Sequence, residues 1–402
     1  MVDTPRPKTA MLTAFLKSAL TGELPEIIKF MSSSGMGDSA TALLYQTKLG
    51  YYALLEQQTP AGTTIRETIK KQFMTPKQIA LKNELGIGKQ GEVKEHTINF
   101  IERTFHILAN DGVLKRKKIN TYTYAFKFKK PWPENKPSPK KLEKAKKTNE
   151  MILKTAELII PKSMRTLEKG EPYTKYEAKA YSLLWDNALK DPVLKAERQD
   201  LISILLKKLK NVWSKNKTLK IIDLGAGVGA GTIDWLEQLI QLGINAEFLL
   251  VDYAPNLLKL AETNVNNFLR EKEEYINTQH LEYSFQYQKA DITKKEDYLP
   301  HDIELEYYDV VFMSQILHYL PTNEDIKLVK TIEPYLKRRG ILGLANAYSY
   351  SETYHIPPEF MLWNTENFRG FPYLSEIKYI LKQAFPKVKE YRLGFVHLAY
   401  KK

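Results

Sequence analysis

The residues with the clearest capacity for chemistry lie in Ile221-Ile222-Asp223-Leu224-Gly225-Ala226-Gly227-Val228-Gly229. An apolar run that ends in glycines and opens a helical stretch gives a tight turn whose backbone a ligand can approach closely. The helix N-terminus beyond the turn favours an anionic group such as a carboxylate. Gly225-x-Gly227-x-x-Ala230 also satisfies a relaxed dinucleotide fingerprint, so the glycines alone do not choose between a nicotinamide dinucleotide and S-adenosylmethionine. Three carboxylates make the choice. Asp223 stands two residues before the first glycine, where it can meet a cationic amino group. Asp252 closes the next strand, placed to accept both ribose hydroxyls, and Asp291 follows a third strand, placed for an adenine amino group. A dinucleotide site uses the second of these and needs neither of the others. Singly, each is an ordinary strand-end carboxylate. Together, at the carboxyl ends of three successive strands where α/β proteins bind ligands, they point to S-adenosylmethionine, with S-adenosylhomocysteine as product. Tyr253, Gly229, Ile292 and Ser314 complete the expected cofactor set, and no metal is expected.

Positioning these residues requires alternating strands and helices. The spacing predicts strands over 220–224, 246–252, 285–290, 308–313 and 340–346, and helices over 232–242, 255–268, 324–336 and 374–384. A hairpin around Gly394 closes the chain. The fold class is therefore α/β, a Rossmann-like doubly wound domain with an antiparallel C-terminal edge strand. A mainly α unit precedes it. Helices are expected over 64–73, 77–85 (with Thr75 as cap and Pro76 at the first position) and 92–110, followed by strands over 113–117 and 122–128. Helix, helix, longer helix and hairpin form a winged-helix pattern. It reads either as a nucleic-acid binder or as a dimerisation unit, and the apolar helical spacing over 10–60 favours the dimer. The expected domains are 1–130, winged-helix-like; 131–170, a basic Pro/Lys-rich linker and helix; and 171–402, the cofactor domain.

Composition narrows the function further. The chain of 402 residues has no cysteine, which removes disulfides, thiolate metal sites and cysteine nucleophiles. No apolar run approaches the ~18 residues of a membrane span, and the first thirty residues lack a signal-peptide core, so a cytoplasmic location is expected. The net charge of +13 is concentrated in one place. Residues 115–147 hold thirteen basic side chains against Glu134 and Glu143. That window reads as a solvated hinge between domains. Its other reading is an electropositive rim for an anionic substrate or nucleic acid.

These motifs resemble those of S-adenosylmethionine-dependent methyltransferases, and within them the two-domain small-molecule O-methyltransferases of the caffeate and hydroxyindole type. Leu49-Gly50-Tyr51-Tyr52-Ala53-Leu54-Leu55 resembles the helix that opens their dimerisation domain, and Asn110-Asp111-Gly112-Val113-Leu114 with Tyr122-Thr123-Tyr124 resembles their wing. Val311-Phe312-Met313-Ser314-Gln315-Ile316-Leu317-His318-Tyr319-Leu320 resembles the strand and turn carrying their catalytic histidine. The resemblance implies methyl transfer to a small-molecule acceptor, foremost a hydroxyl oxygen, by a homodimer. His318 would take the acceptor proton, a role suited to an imidazole of ordinary pKa ~6.5. The family orients that histidine with glutamates, one of them at the end of the next strand, where this chain has Asn346. That departure leaves open an amine or carbon acceptor that needs no strong base, or a base elsewhere. His355, in the loop after that strand, is the competitor. Tyr348, Tyr354, Tyr181, Trp185, Met361 and Trp363 are candidates for the acceptor pocket. Methylation of RNA or protein, and a cofactor-sensing regulator without turnover, are the other classes. Cytosine C5 chemistry lacks its cysteine, and Met313-Ser314-Gln315-Ile316 stands where base amino-methylating enzymes carry an Asn/Asp-Pro-Pro-aromatic motif.

Overall fold

A computed structural model describes residues 49–121, 123–131, 138–140, 143, 162–173, 192–211, 218–299, 305–349, 359–391 and 395–401. The chain divides into two compact units. The first holds the described residues up to 173 together with 348–373, and the second those from 192 to 347 with 374–401.

In the first unit, α1 (Ile65–Lys70), α2 (Pro76–Lys82) and α3 (Glu95–Asn110) precede a hairpin of β1 (Leu114–Lys118) and β2 (Tyr124–Phe128), and α4 (Ser163–Lys169) follows. Two capping boxes start the short helices. The Thr64 hydroxyl accepts from Glu67 N while Glu67 accepts from Thr64 N, and Thr75 and Gln78 repeat the arrangement ahead of Pro76. Such caps contribute about 1 kcal/mol each. α3 buries Phe100, Ile101, Phe105 and Leu108. Its other side chains hold the segment that follows the second unit's last parallel strand. Arg103 donates to the Glu359 carboxylate (2.5 Å) and to the Phe371 carbonyl (3.2 Å), and Trp363 stacks on Phe100 with ring centroids 6.0 Å apart. Asn364 adds hydrogen bonds with Thr166 and Ser163. These contacts hold residues 359–371 in the first unit although the chain order runs them between strands of the second. In the hairpin, Lys115, Lys117 and Lys118 are exposed, Lys115 stands directly opposite Lys127, and Arg116 leans back on Asn110 and His106. Among the described residues, no helix is long and apolar enough to cross a membrane.

The second unit is built on a seven-stranded sheet flanked by helices. Its elements are α5 (Pro192–Lys208), β3 (Thr218–Leu224), α6 (Ala230–Leu242), β4 (Asn245–Asp252), α7 (Pro255–Glu271), α8 (Glu273–Thr278), β5 (Tyr283–Lys289), β6 (Tyr308–Ser314), α9 (Thr322–Ile332), β7 (Leu336–Ala345), α10 (Leu374–Lys382), β8 (Lys387–Tyr391) and β9 (Val396–Tyr400). The strand order is β5-β4-β3-β6-β7-β9-β8. The pairs from β5 to β7 are parallel, and β9 is antiparallel to both β7 and β8. The antiparallel strand is therefore inserted one place in from the edge, and β8 is outermost. Order reverses between β3 and β6, which makes the carboxyl ends of those two strands the switch point where such sheets bind ligands.

Packing fixes that end of the sheet. Phe312 of β6 meets Trp235 of α6 edge-on at 6.0 Å. α5 lies on β7 at Gly343, where a Cβ would stand 2.7 Å from Leu205 Cδ1, so glycine is what allows the helix its close approach.

Candidate active site

The loop after β3 begins by folding back over β4. Gly225 N and Ala226 N both donate to the Val251 carbonyl, at 2.8 and 3.0 Å. Gly225, Gly227 and Gly229 all have positive φ, the region that favours glycine. Their reasons differ. A Cβ on Gly225 would stand 2.7 Å from Ile316 Cδ1, and one on Gly229 would stand 3.2 Å from Ala261 of α7. A Cβ on Gly227 would meet nothing within 4 Å, so this backbone borders open ground.

The three carboxylates surround the loop in different ways. Asp252 bridges the two turns: Oδ2 accepts from Gly227 N at 2.8 Å and Oδ1 from Ala254 N at 2.9 Å. Burial raises its pKa, and the backbone N–H groups of Ala254, Gly227 and Tyr253 oppose the rise. An ionised carboxylate offers about four lone-pair sites, so these three N–H groups do not exhaust its capacity to accept a hydroxyl. Asp291 is bound by the Thr293 hydroxyl (2.7 Å) and N–H (3.0 Å). Partial burial works against its charge, but those bonds and Lys294 hold it below the usual carboxylate value. Asp223 is buried beneath the first turn of α6, where the Thr232 hydroxyl donates to Oδ2 at 3.0 Å. Burial pushes its pKa up to about 7, with nearby Asp252 adding to the rise and Thr232 and Arg198 opposing it. Of the remaining cofactor candidates, Ile292 is buried and Tyr253 exposed at the ends they were expected to occupy, and Ser314 closes β6 opposite Ala345.

Two charged residues of α5 escaped sequence reasoning. Arg198 is 5% exposed and donates to Asp234 Oδ2 of α6 at 2.6 Å, and its charge reaches Asp223. Glu197 beside it accepts from Gln315 Nε2 at 3.0 Å. A Glu-Arg pair directed inward on a helix ahead of the glycine-rich strand is the one signal that could have exposed them.

The turn after β6 carries His318 in a single helical turn, Leu317–Tyr319. The imidazole is buried, its centroid 4.3 Å from that of Tyr319. Asn346 does not act as a surrogate carboxylate for the ring. Its Oδ1 accepts from Leu317 N at 3.2 Å and its Nδ2 donates to the Ala347 carbonyl at 2.7 Å, so the amide holds the backbone of the turn. Tyr348 is buried and belongs to the first unit, as does Trp363. Tyr181, Trp185, Tyr354, His355 and the side chain of Met361 lie outside the described residues.

Residues 222–342 match the family described as a methyltransferase domain. Polyketide synthases are similar in sequence. The non-reducing polyketide synthase ausA of Penicillium brasilianum is 29% identical over 169 residues, 42% of this chain and 6% of that protein. Probable polyketide synthase 42 of Dictyostelium discoideum is 27% identical over 197 residues, 45% of this chain and 7% of that protein. The chain thus spans less than a tenth of the length of the curated relatives it matches. Among solved structures, the CurJ carbon methyltransferase aligns with a TM-score of 0.62 at 15% identity, covering 96% of this chain and 98% of that one. The CMeT domain of the citrinin polyketide synthase aligns with a TM-score of 0.59 at 15% identity, covering 99% of both. The match makes residues 222–342 a methyltransferase domain, with S-adenosylmethionine as its cofactor.

Proposed function

We propose that this domain methylates an acidic carbon of a polyketide-type acyl chain, in preference to the hydroxyl oxygen expected from sequence. One observation carries the reading: the amide of Asn346 is committed to the Leu317 N–H and the Ala347 carbonyl, so no carboxylate at that position supports an imidazolium at His318. A carbon between two carbonyls gives up its proton to a weaker base than an isolated hydroxyl demands. The names of the similar proteins, polyketide synthases and carbon methyltransferases, support the same acceptor. When bound, S-adenosylmethionine supplies an electrophilic methyl group. Asp252 and the glycine loop hold and orient it, the buried turn after β6 excludes water, and His318 receives the acceptor proton. Incubation with methyl-labelled S-adenosylmethionine and, in parallel, a small β-keto thioester and a phenol tests the assignment. Label on the carbon between the carbonyls is expected. Label in the methyl ether alone overturns it.

Asp223 gives this reading a pH dependence. A cationic amino group favours the ionised form of Asp223, whose pKa burial pushes up to about 7. Cofactor affinity should therefore rise from pH 5.5 and level off above 7 to 7.5. Folding stability from the same group runs the other way. A carboxyl pKa raised by folding contributes stability below the unfolded value of ~4, and that contribution is lost as pH climbs through 7. Calorimetric titration with S-adenosylhomocysteine between pH 5.5 and 8.5 checks the first sign. Asp223→Asn should flatten the profile, and a profile that keeps its slope in this variant removes Asp223 from the site.

A further inference from the structure

The turn after β6 is held by groups that neither the cofactor nor the acceptor accounts for. Gln315 has φ +57°, a left-handed backbone that costs a non-glycine residue on the order of 1 kcal/mol. Such a residue persists when its surroundings over-determine it. Here three hydrogen bonds do so. Gln315 N donates to the Ala345 carbonyl at 2.8 Å, its Oε1 accepts from Ala347 N at 3.1 Å, and its Nε2 donates to Glu197 Oε2 at 3.0 Å. The amide can point only one way, because the Ala347 N–H can only donate and so needs the amide oxygen facing it. Glu197 comes from α5, 118 residues earlier, and is 7% exposed.

The next residues carry the consequence. Ile316 presses on the cofactor loop, close enough that a Cβ on Gly225 would lie 2.7 Å from its Cδ1. Leu317 N is tied to Asn346, and His318 follows. A shift of Gln315 therefore moves the side chain against Gly225 and the imidazole together. α5 braces both sides of the site, since Arg198 pairs with Asp234 beneath the loop while Glu197 holds the turn.

We propose that Gln315 and Glu197 are positioning residues, a two-ended clamp that keeps the His318 turn in register with the cofactor loop. The proposal rests on the methyltransferase reading of this site. Its test is a charge swap read by calorimetric binding of S-adenosylhomocysteine and by the melting of the unliganded protein. Gln315→Glu sets two buried carboxylates against each other and should weaken S-adenosylhomocysteine at least tenfold, about 1.4 kcal/mol. The double variant Gln315→Glu/Glu197→Gln keeps both side-chain bonds of the clamp, the one between the two residues in reversed order: the new carboxylate accepts from Ala347 N and from the new amide. It should bind within threefold of wild type, a rescue that loss of bulk packing would not give. Wild-type affinity in the single variant overturns the clamp, as does a folded double variant with weakened binding. If the single variant does not fold, the double variant decides, and failure of the double variant to fold also overturns the proposal. If the wild-type protein does not bind S-adenosylhomocysteine, the cofactor reading fails and the clamp falls with it.

Discussion

Replacing Asp252 with alanine should lower the affinity for S-adenosylhomocysteine at least a hundredfold, about 2.7 kcal/mol. The side chain organises the site before any ligand arrives. It joins the loop after β3 to the turn after β4 by accepting from Gly227 N and Ala254 N, at 2.8 and 2.9 Å. Hydrogen bonds to a charged acceptor are each worth about 1.5–3 kcal/mol, and removing the acceptor leaves two donors without it. The ligand then loses the carboxylate expected to take its ribose hydroxyls and also a loop already in place. Asp252→Asn should fall between the two, because an amide keeps one accepting oxygen and turns a donor toward the other N–H. Calorimetry on both variants reads the effect directly. Affinity within fivefold of wild type for the alanine variant would remove Asp252 from the cofactor site.

His318→Ala should cut turnover by about 10²–10⁴-fold, the range supplied by a positioned acid-base group, while leaving S-adenosylhomocysteine affinity within threefold of wild type. The separation follows from the structure. Contact between the β6 turn and the cofactor loop runs through Ile316, whereas His318 lies two residues on, packed against Tyr319. Because the imidazole is buried, the alanine variant leaves a cavity, so its melting temperature should also drop. His318→Gln fills most of that volume and separates lost base chemistry from lost packing. Unchanged turnover in both variants would place the base elsewhere, with His355 first in line.

The glycine loop and its carboxylates were legible because their logic is local. Strand, turn and helix signals from Thr218 to Leu242 lie side by side, and the apolar period places Asp223 and Asp252 at strand ends without knowledge of strand order. The same holds for Thr75 and Pro76, whose cap forms as the dipeptide predicts. The clamp was not legible. Gln315 and Glu197 are 118 residues apart, and α5 directs two charged residues inward, which blurs the pattern that marks a buried face. Asn346 could be placed at the end of its strand, but its bond to Leu317 could not, since Leu317 approaches only after β6 and β7 pair. α8 escaped for a simpler reason: it buries no side chain and so shows no apolar stripe. The association of 359–371 with the first unit rests on Arg103, Trp363 and Glu359, and no composition shift announces it.

The position of β9 governs the order in which the sheet can be completed. Ile341–Ala345 of β7 pairs with Val396–Tyr400, and Asn346 N donates to the Phe395 carbonyl. While a ribosome is still making residues after 346, β7 therefore presents an apolar edge with unpaired backbone, the kind of edge that recruits other strands. β8 emerges before β9 but cannot take its final place until β9 has slipped between it and β7. Non-local pairing of this kind slows folding, so the pairing of β9 with β7 is expected to be the slow step. It also leaves the nascent domain dependent on whatever shields that edge until residue 400 has cleared the ribosome exit tunnel.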